Sequence, residues 1–246
     1  MKTLKCLSLT LLIAESFLIS QAYAHHGKDY FINKSYHTPF AGSWVALFGA
    51  DYLRMNSHRE DELRGFGFEP GTIYGLSDRC SFEVHSHIEK LTREHWHYES
   101  TGFENRFQIT QWDGSEDRNL PIDVAGFLEF EKSSSHESPD ILQGGLIFSH
   151  DGIPYNITGI LLLRKELQPH SSVKLHYTIG AKNDFSSYFG AGIELNGSVE
   201  ENLLQQLTPG IYFQTESGLK VKLGLSVGVA GNRKDYAIRT SFVLDL

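Results

Sequence analysis

The chain of 246 residues carries twelve histidines, and four of them, His85, His87, His95 and His97, stand close together. His85 and His87 are one residue apart, so on an extended chain both imidazoles leave the same face. Neutral imidazoles beside Glu83 and Glu89 make a ligand set for Zn²⁺ or Cu²⁺. His25 and His26 offer a second pair. No Cys-rich or Met-rich motif accompanies them, since the chain has two Cys and two Met. The other reading of the group is ordinary polarity on the wet face of a strand, and no cofactor is assigned. Ser86, between two histidines, is the one local hint of Ser–His hydrolysis. Alternation sends its side chain to the opposite face from both rings, which argues against an enzyme.

A second set of residues bears on the passage of solutes. Glu83, Glu89, Glu104, Asp123, Glu129 and Glu131 occupy polar faces between residues 79 and 132, with Arg106 as the exception. Arg164, Lys174, Lys182, Lys220, Lys222 and Arg239 occupy polar faces further on, with Glu166 and Asp245 against the trend. If the segments close into a ring, an acidic wall meets a basic one. A field across such a lumen orients polar solutes. The same charges can instead pair across the lumen and hold it shut, because desolvated ions need partners.

Both sets require strands. Leu219, Val221, Leu223, Leu225, Val227 and Val229 alternate with Lys220, Lys222, Gly224, Ser226, Gly228 and Ala230, a period of two. The same rhythm runs through 79–90, 171–182 and 235–246. Turn signals such as Asp151-Gly152, Asn183-Asp184 and Ser217-Gly218 separate the runs. About twelve strands follow, at 43–55, 64–75, 79–90, 97–112, 120–132, 140–150, 154–166, 171–182, 186–197, 208–216, 218–230 and 235–246. Strands in soluble domains average about five or six residues, whereas a tilted transmembrane strand needs about nine to eleven. These runs are of the longer kind. Connections after the second, sixth, eighth and tenth runs are tight, and those after the first, fifth, seventh and ninth are longer and polar. Short turns on one side and long loops on the other describe an antiparallel, up-and-down transmembrane β-barrel. Closure pairs every backbone group, which lipid demands. A soluble all-β barrel or sandwich is the competing architecture. Trp44, Tyr98, Tyr155, Tyr212 and Tyr236 are candidates for the aromatic girdles at the two interfaces.

The remaining composition agrees. Residues 1–24 read as an export signal, with Lys2 and Lys5, an apolar stretch from Leu7 to Ile19, and Ala22-Tyr23-Ala24 before the cut. Residues 25–42 then form an N-terminal periplasmic segment, and 43–246 the barrel. A net charge of −8 excludes an electrostatic nucleic-acid binder. A mean hydropathy of −0.27 excludes a bundle of membrane helices. The expected partners are outer-membrane lipid, the barrel-assembly machinery and a small polar solute.

Tyr74-Gly-Leu-Ser-Asp-Arg79, followed by an alternating strand, resembles a hairpin recurrent in Gram-negative outer-membrane barrels of the phenol meta-pathway type. Glu104-Asn-Arg-Phe107 and the run from Leu120 to Glu131 are similar to their next hairpin. The segment from Tyr236 to Leu246 resembles a terminal strand of the kind that the assembly machinery reads, ending here in Leu rather than Phe or Trp. The resemblance implies an outer-membrane barrel that transports solutes, and no catalytic residue. The expected function is a small channel or uptake protein for polar or aromatic solutes. The alternative is a non-conducting barrel with a structural or metal-binding role.

Overall fold

The computed structural model describes residues 34, 37–55, 63–91, 95–110, 122–135, 138–151, 155–199, 205–230 and 236–246. The export signal, His25, His26 and the Asp151-Gly152 turn fall wholly or partly outside this set. Twelve strands form: β1 (Trp44–Met55), β2 (Leu63–Ser77), β3 (Cys80–Leu91), β4 (His97–Gln108), β5 (Asp123–Ser133), β6 (Ile141–Asp151), β7 (Tyr155–Glu166), β8 (Val173–Ser186), β9 (Phe189–Ser198), β10 (Gln205–Gln214), β11 (Leu219–Ala230) and β12 (Tyr236–Asp245). Each pairs antiparallel with its neighbour in the chain, and β1 pairs with β12 to close the ring.

The alternation in the sequence becomes an inside-out protein. On β11, Lys220, Lys222 and Ser226 are buried, while Leu223, Leu225, Val227 and Val229 are exposed. The same inversion runs round the ring. Leu128, Leu142, Leu146, Ile157, Leu161, Leu163, Ile179, Ile193 and Ile238 face outward, each at least 39% exposed. Glu83, Glu104, Arg106, Glu129, Glu194 and Thr208 face inward, each at most 3% exposed. Water favours the reverse arrangement, so this surface is built for a surrounding of low polarity. Among the described residues, apolar side chains pack inside in two small clusters, Val45, Leu47, Ile73 and Val243, and Ala125, Phe127, Ile147 and Ile160.

At the end of the barrel that holds Trp44 and Asp245, β2 joins β3 through Asp78 and Arg79, and β8 joins β9 through Ser187 and Tyr188. The β10–β11 turn is closed by Gly218, whose φ of 83° a side chain rarely adopts, and by Leu219 N–H donating to Thr215 Oγ1 at 3.1 Å. The chain before β1 packs against this end. Gly42 N–H donates to Gly75 O at 2.8 Å, and Gly75 N–H donates to Ser43 O at 3.0 Å. A Cβ at Gly75 would fall on the carbonyl of Phe40, so only glycine permits this approach.

Several strand boundaries differ from the expectation. β8 runs through Asn183 and Asp184, which pair with Tyr155, Ala191 and Gly190, so the expected turn there moves to Ser187 and Tyr188. β4 ends at Gln108 and β5 begins at Asp123. Ile109 and Thr110 still donate to Val124 O, but as a bifurcated cross-connection rather than a ladder. β10 begins at Gln205, ahead of residue 208. Pro209 sits inside it without an N–H to give, on the outward face, and the described pairing with β11 passes from Leu207↔Val227 to Gly210↔Gly224.

Candidate functional site

The lumen wall of β2–β5 gathers carboxylates and imidazoles. Register sets Glu83 of β3 opposite Glu104 of β4, and Glu104 opposite Glu129 of β5. Like charges directly opposite repel, and cations from neighbouring positions settle the row. Arg106 Nε donates to Glu104 Oε1 at 3.1 Å, and Arg106 Nη2 reaches Glu83 Oε2 at 3.4 Å. Lys34, from the segment before β1, donates to Glu129 Oε2 at 2.6 Å and also to Glu104. Its ammonium lies 4.6 Å from the centre of the Phe127 ring. His85 completes the row, with Nδ1 3.2 Å from Glu83 Oε1 and Nε2 3.4 Å from Glu129 Oε1. Glu131, next inward on β5, accepts from Ser100 Oγ at 2.6 Å. Ionised groups this deeply buried are held by one another rather than by water. The row is a constriction of the lumen.

His85 lies between two glycines. Across β2–β3 it faces Gly71, where a Cβ would stand 2.9 Å from its own Cβ. Across β3–β4 it faces Gly102, and a Cβ there would fall on the imidazole itself. The two glycines let the ring lie flat against the wall. His87 follows on the same face, its ring meeting that of His85 edge-on at 5.3 Å. Donor atoms of Glu69, His85 and His87 all lie within 4.8 Å of one another.

The four-histidine set is therefore split. His95 is exposed and precedes β4, and His97 Nε2 contacts Glu89 Oε1 at 3.0 Å near the end of that strand. The physical reason is a β-bulge. His87 pairs with Ser100 but Ile88 pairs with Tyr98, so β4 carries one extra residue, Glu99, and the strand ends diverge. Glu69 takes the place of the two outer histidines. The expectation missed it because Gly67 and Gly71 share its face and mask the polar rhythm of β2. Phe66 and Phe68, alternating with it, are the signal that finds it.

Beyond the constriction lies a cavity of about 180 Å³ whose lining includes Asp51, Glu69, His87, Glu89, Glu99 and Arg239. Arg239 Nη1 donates to Asp51 Oδ2 and its Nε to Ser226 Oγ, both at 2.7 Å. The basic residues occupy other strands. Lys220 and Lys222 are buried on β11, six strands from β5 in the ring of twelve. Arg164 and Lys174 are half-buried neighbours across β7–β8, and Lys174 Nζ lies 3.9 Å from Glu166 Oε1. Carboxylates gather on β3–β5 and basic side chains on β7, β8, β11 and β12, with Arg106 and Lys34 among the acids and Glu166 and Glu194 among the bases.

One girdle assignment is corrected. Tyr212 is 7% exposed and points into the lumen, where its hydroxyl donates to Glu194 Oε1 at 3.4 Å. Its odd-looking partner is explained by parity, since Gly210 and Gln214 share its face. Trp44, Tyr98 and Tyr155 are outward and exposed. Ser86 Oγ meets Thr101 Oγ1 at 3.2 Å on the outer face. His85 and His87 point the other way, so this tripeptide holds no Ser–His pair.

No protein-family model and no curated protein matches the chain. Solved structures do match its fold. The NanC porin superposes with a TM-score of 0.57 at 11% identity, covering 82% of this chain and 100% of its own. The KdgM porin superposes with a TM-score of 0.50 at 11% identity, covering 79% and 98%. The outer membrane phospholipase A of Escherichia coli superposes with a TM-score of 0.51 at 7% identity, covering 91% and 96%. At these identities the likeness is one of architecture: a closed antiparallel barrel of twelve strands.

Proposed function

We propose that this chain is an outer-membrane channel for small polar or aromatic solutes, exported through residues 1–24 and inserted by the barrel-assembly machinery. One observation carries the reading. The barrel is apolar outside and charged inside, with an acidic wall on β3–β5 and basic side chains across from it. Opposed charges in a confined space of low dielectric act on whatever passes. Two of the solved barrels that share the architecture are porins, and the Tyr74–Arg79 motif resembles transporters of the phenol meta-pathway type. Glu83, Glu104, Arg106, Glu129, Glu131, Arg164, Lys174, Lys220, Lys222 and Arg239 line the solute path.

Planar-bilayer recording tests this. The wild type gives single-channel steps, and K222E combined with R239E moves the reversal potential toward cation selectivity. An absence of steps in the wild type and in the variants rejects conduction. The second reading, a non-conducting barrel, is favoured by the constriction at Arg106 and Lys34, and the same recordings decide between the two.

A further inference from the structure

The structure assigns Glu69, His85 and His87 to a binding site for a divalent transition-metal ion of the Zn²⁺ or Cu²⁺ class on the inner wall of the barrel. The inference rests on the barrel fold and not on conduction. Three ligand atoms of the right kinds already lie within 4.8 Å of one another, from β2 and β3. Two imidazoles and a carboxylate suit borderline divalent ions and disfavour Ca²⁺ and Mg²⁺, which take oxygen ligands.

The surroundings supply what such a site needs. His85 Nε2 faces the Glu129 carboxylate at 3.4 Å. A carboxylate behind an imidazole fixes the ring and raises its basicity toward a metal on the other nitrogen. His85 Nδ1, that other nitrogen, lies 3.2 Å from Glu83 Oε1. Glu83, whose other oxygen faces Arg106 Nη2 at 3.4 Å, stands outside the group of three and holds the ring in place. Gly71 and Gly102 leave the ring its position on the wall, as a side chain at either would not. The cavity beyond gives an entry path, and Asp51, Glu69, Glu89 and Glu99 line it. Arg239, the cation in that lining, is tied to Asp51 at 2.7 Å. Arg106 and Lys34 offset part of the charge of Glu83, Glu104 and Glu129, but carboxylates outnumber cations around the site, so its field attracts a cation.

The binding chemistry is separable from other histidines. His97 is paired with Glu89 at 3.0 Å and exposed. Isothermal titration with Zn²⁺ of the full barrel, folded in detergent and stripped by a chelator, provides the test. The expected result is one saturable equivalent with no matching heat from Ca²⁺. E69Q and H87N weaken binding by at least about tenfold, and E129Q, acting through His85, by roughly ten- to a hundredfold. H97N and the H25N/H26N pair leave it unchanged. Each variant is first shown to migrate as a folded barrel on an unheated gel. With Co²⁺ as the probe, the visible spectrum of the wild type shows nitrogen and oxygen ligation that H87N lacks. No saturable Zn²⁺ binding by the wild type overturns the assignment. So does a folded H87N that binds as tightly as the wild type, or loss of the site in H97N.

Discussion

Arg106 is the residue on which the acidic row depends. It lies 1% exposed between Glu83 and Glu104, and a buried carboxylate that loses its partner keeps the full cost of its desolvation. R106A therefore lowers stability by about 3–5 kcal/mol, read from urea unfolding of the barrel reconstituted in lipid vesicles. R106M, which fills the space without charge, recovers only the packing part of that loss. A destabilisation below about 1 kcal/mol, the value for an exposed pair, shows that the row is solvated. At this scale the sequence was legible in kind but not in pairing. Alternation places Glu83, Glu104, Glu129 and Arg106 on inner faces from type and spacing alone. That Glu83, Glu104 and Glu129 stand level with one another is a matter of register, which no local pattern encodes. Lys34 was illegible for a different reason. It belongs to no periodic run, and its partners lie 70 and 95 residues away.

Strands were the most legible level, because a wall with two unlike solvents forces a strict period of two on every element. β11 shows the rule most cleanly and β2 least, since glycines on the inner face of β2 erase one half of the contrast. The prediction at this scale concerns the outer face. Leu225 is 46% exposed near the middle of β11, among Leu223 and Val227. L225R costs about 2–4 kcal/mol in a bilayer, the penalty for a cation at the midplane of a barrel wall. L225F, of similar bulk and no charge, costs far less. Folding titrations into vesicles measure both, and equal effects would mean that position 225 faces water. The bulge at Glu99 marks the limit of the pattern. One extra residue shifts the phase of β4 at its first turns, which is why His95 and His97 leave the group formed by His85 and His87.

The whole molecule combines a closed ring with a short N-terminal segment laid against one end and into the lumen. Thr38 and Pro39 are buried there, Thr38 Oγ1 donates to Asp78 O at 3.1 Å, and Lys34 reaches the constriction. Lys34 neutralises two carboxylates and fills space beside Phe127. Under the channel reading, K34A opens the constriction and leaves Glu104 and Glu129 with less positive charge. Larger single-channel steps and stronger cation preference are expected in bilayer recordings. Steps identical to wild type would mean that the solute path avoids β4 and β5.

The seam between β1 and β12 joins residues at opposite ends of the chain. Asp51 and Arg239, paired across it at 2.7 Å, are separated by 188 positions. Every other pairing joins strands consecutive in the chain, so eleven pairings can form early while this one waits for the entire polypeptide. Loop closure over such a span makes the last step the slow one. Until it occurs, two open edges and their unpaired amides face the bilayer interior, the condition that lipid penalises most. The ring thus has no stable partial form. A chain ending at residue 230, with eleven of the strands intact, is expected to show no compact, heat-sensitive band on an unheated gel, although it lacks only the last hairpin.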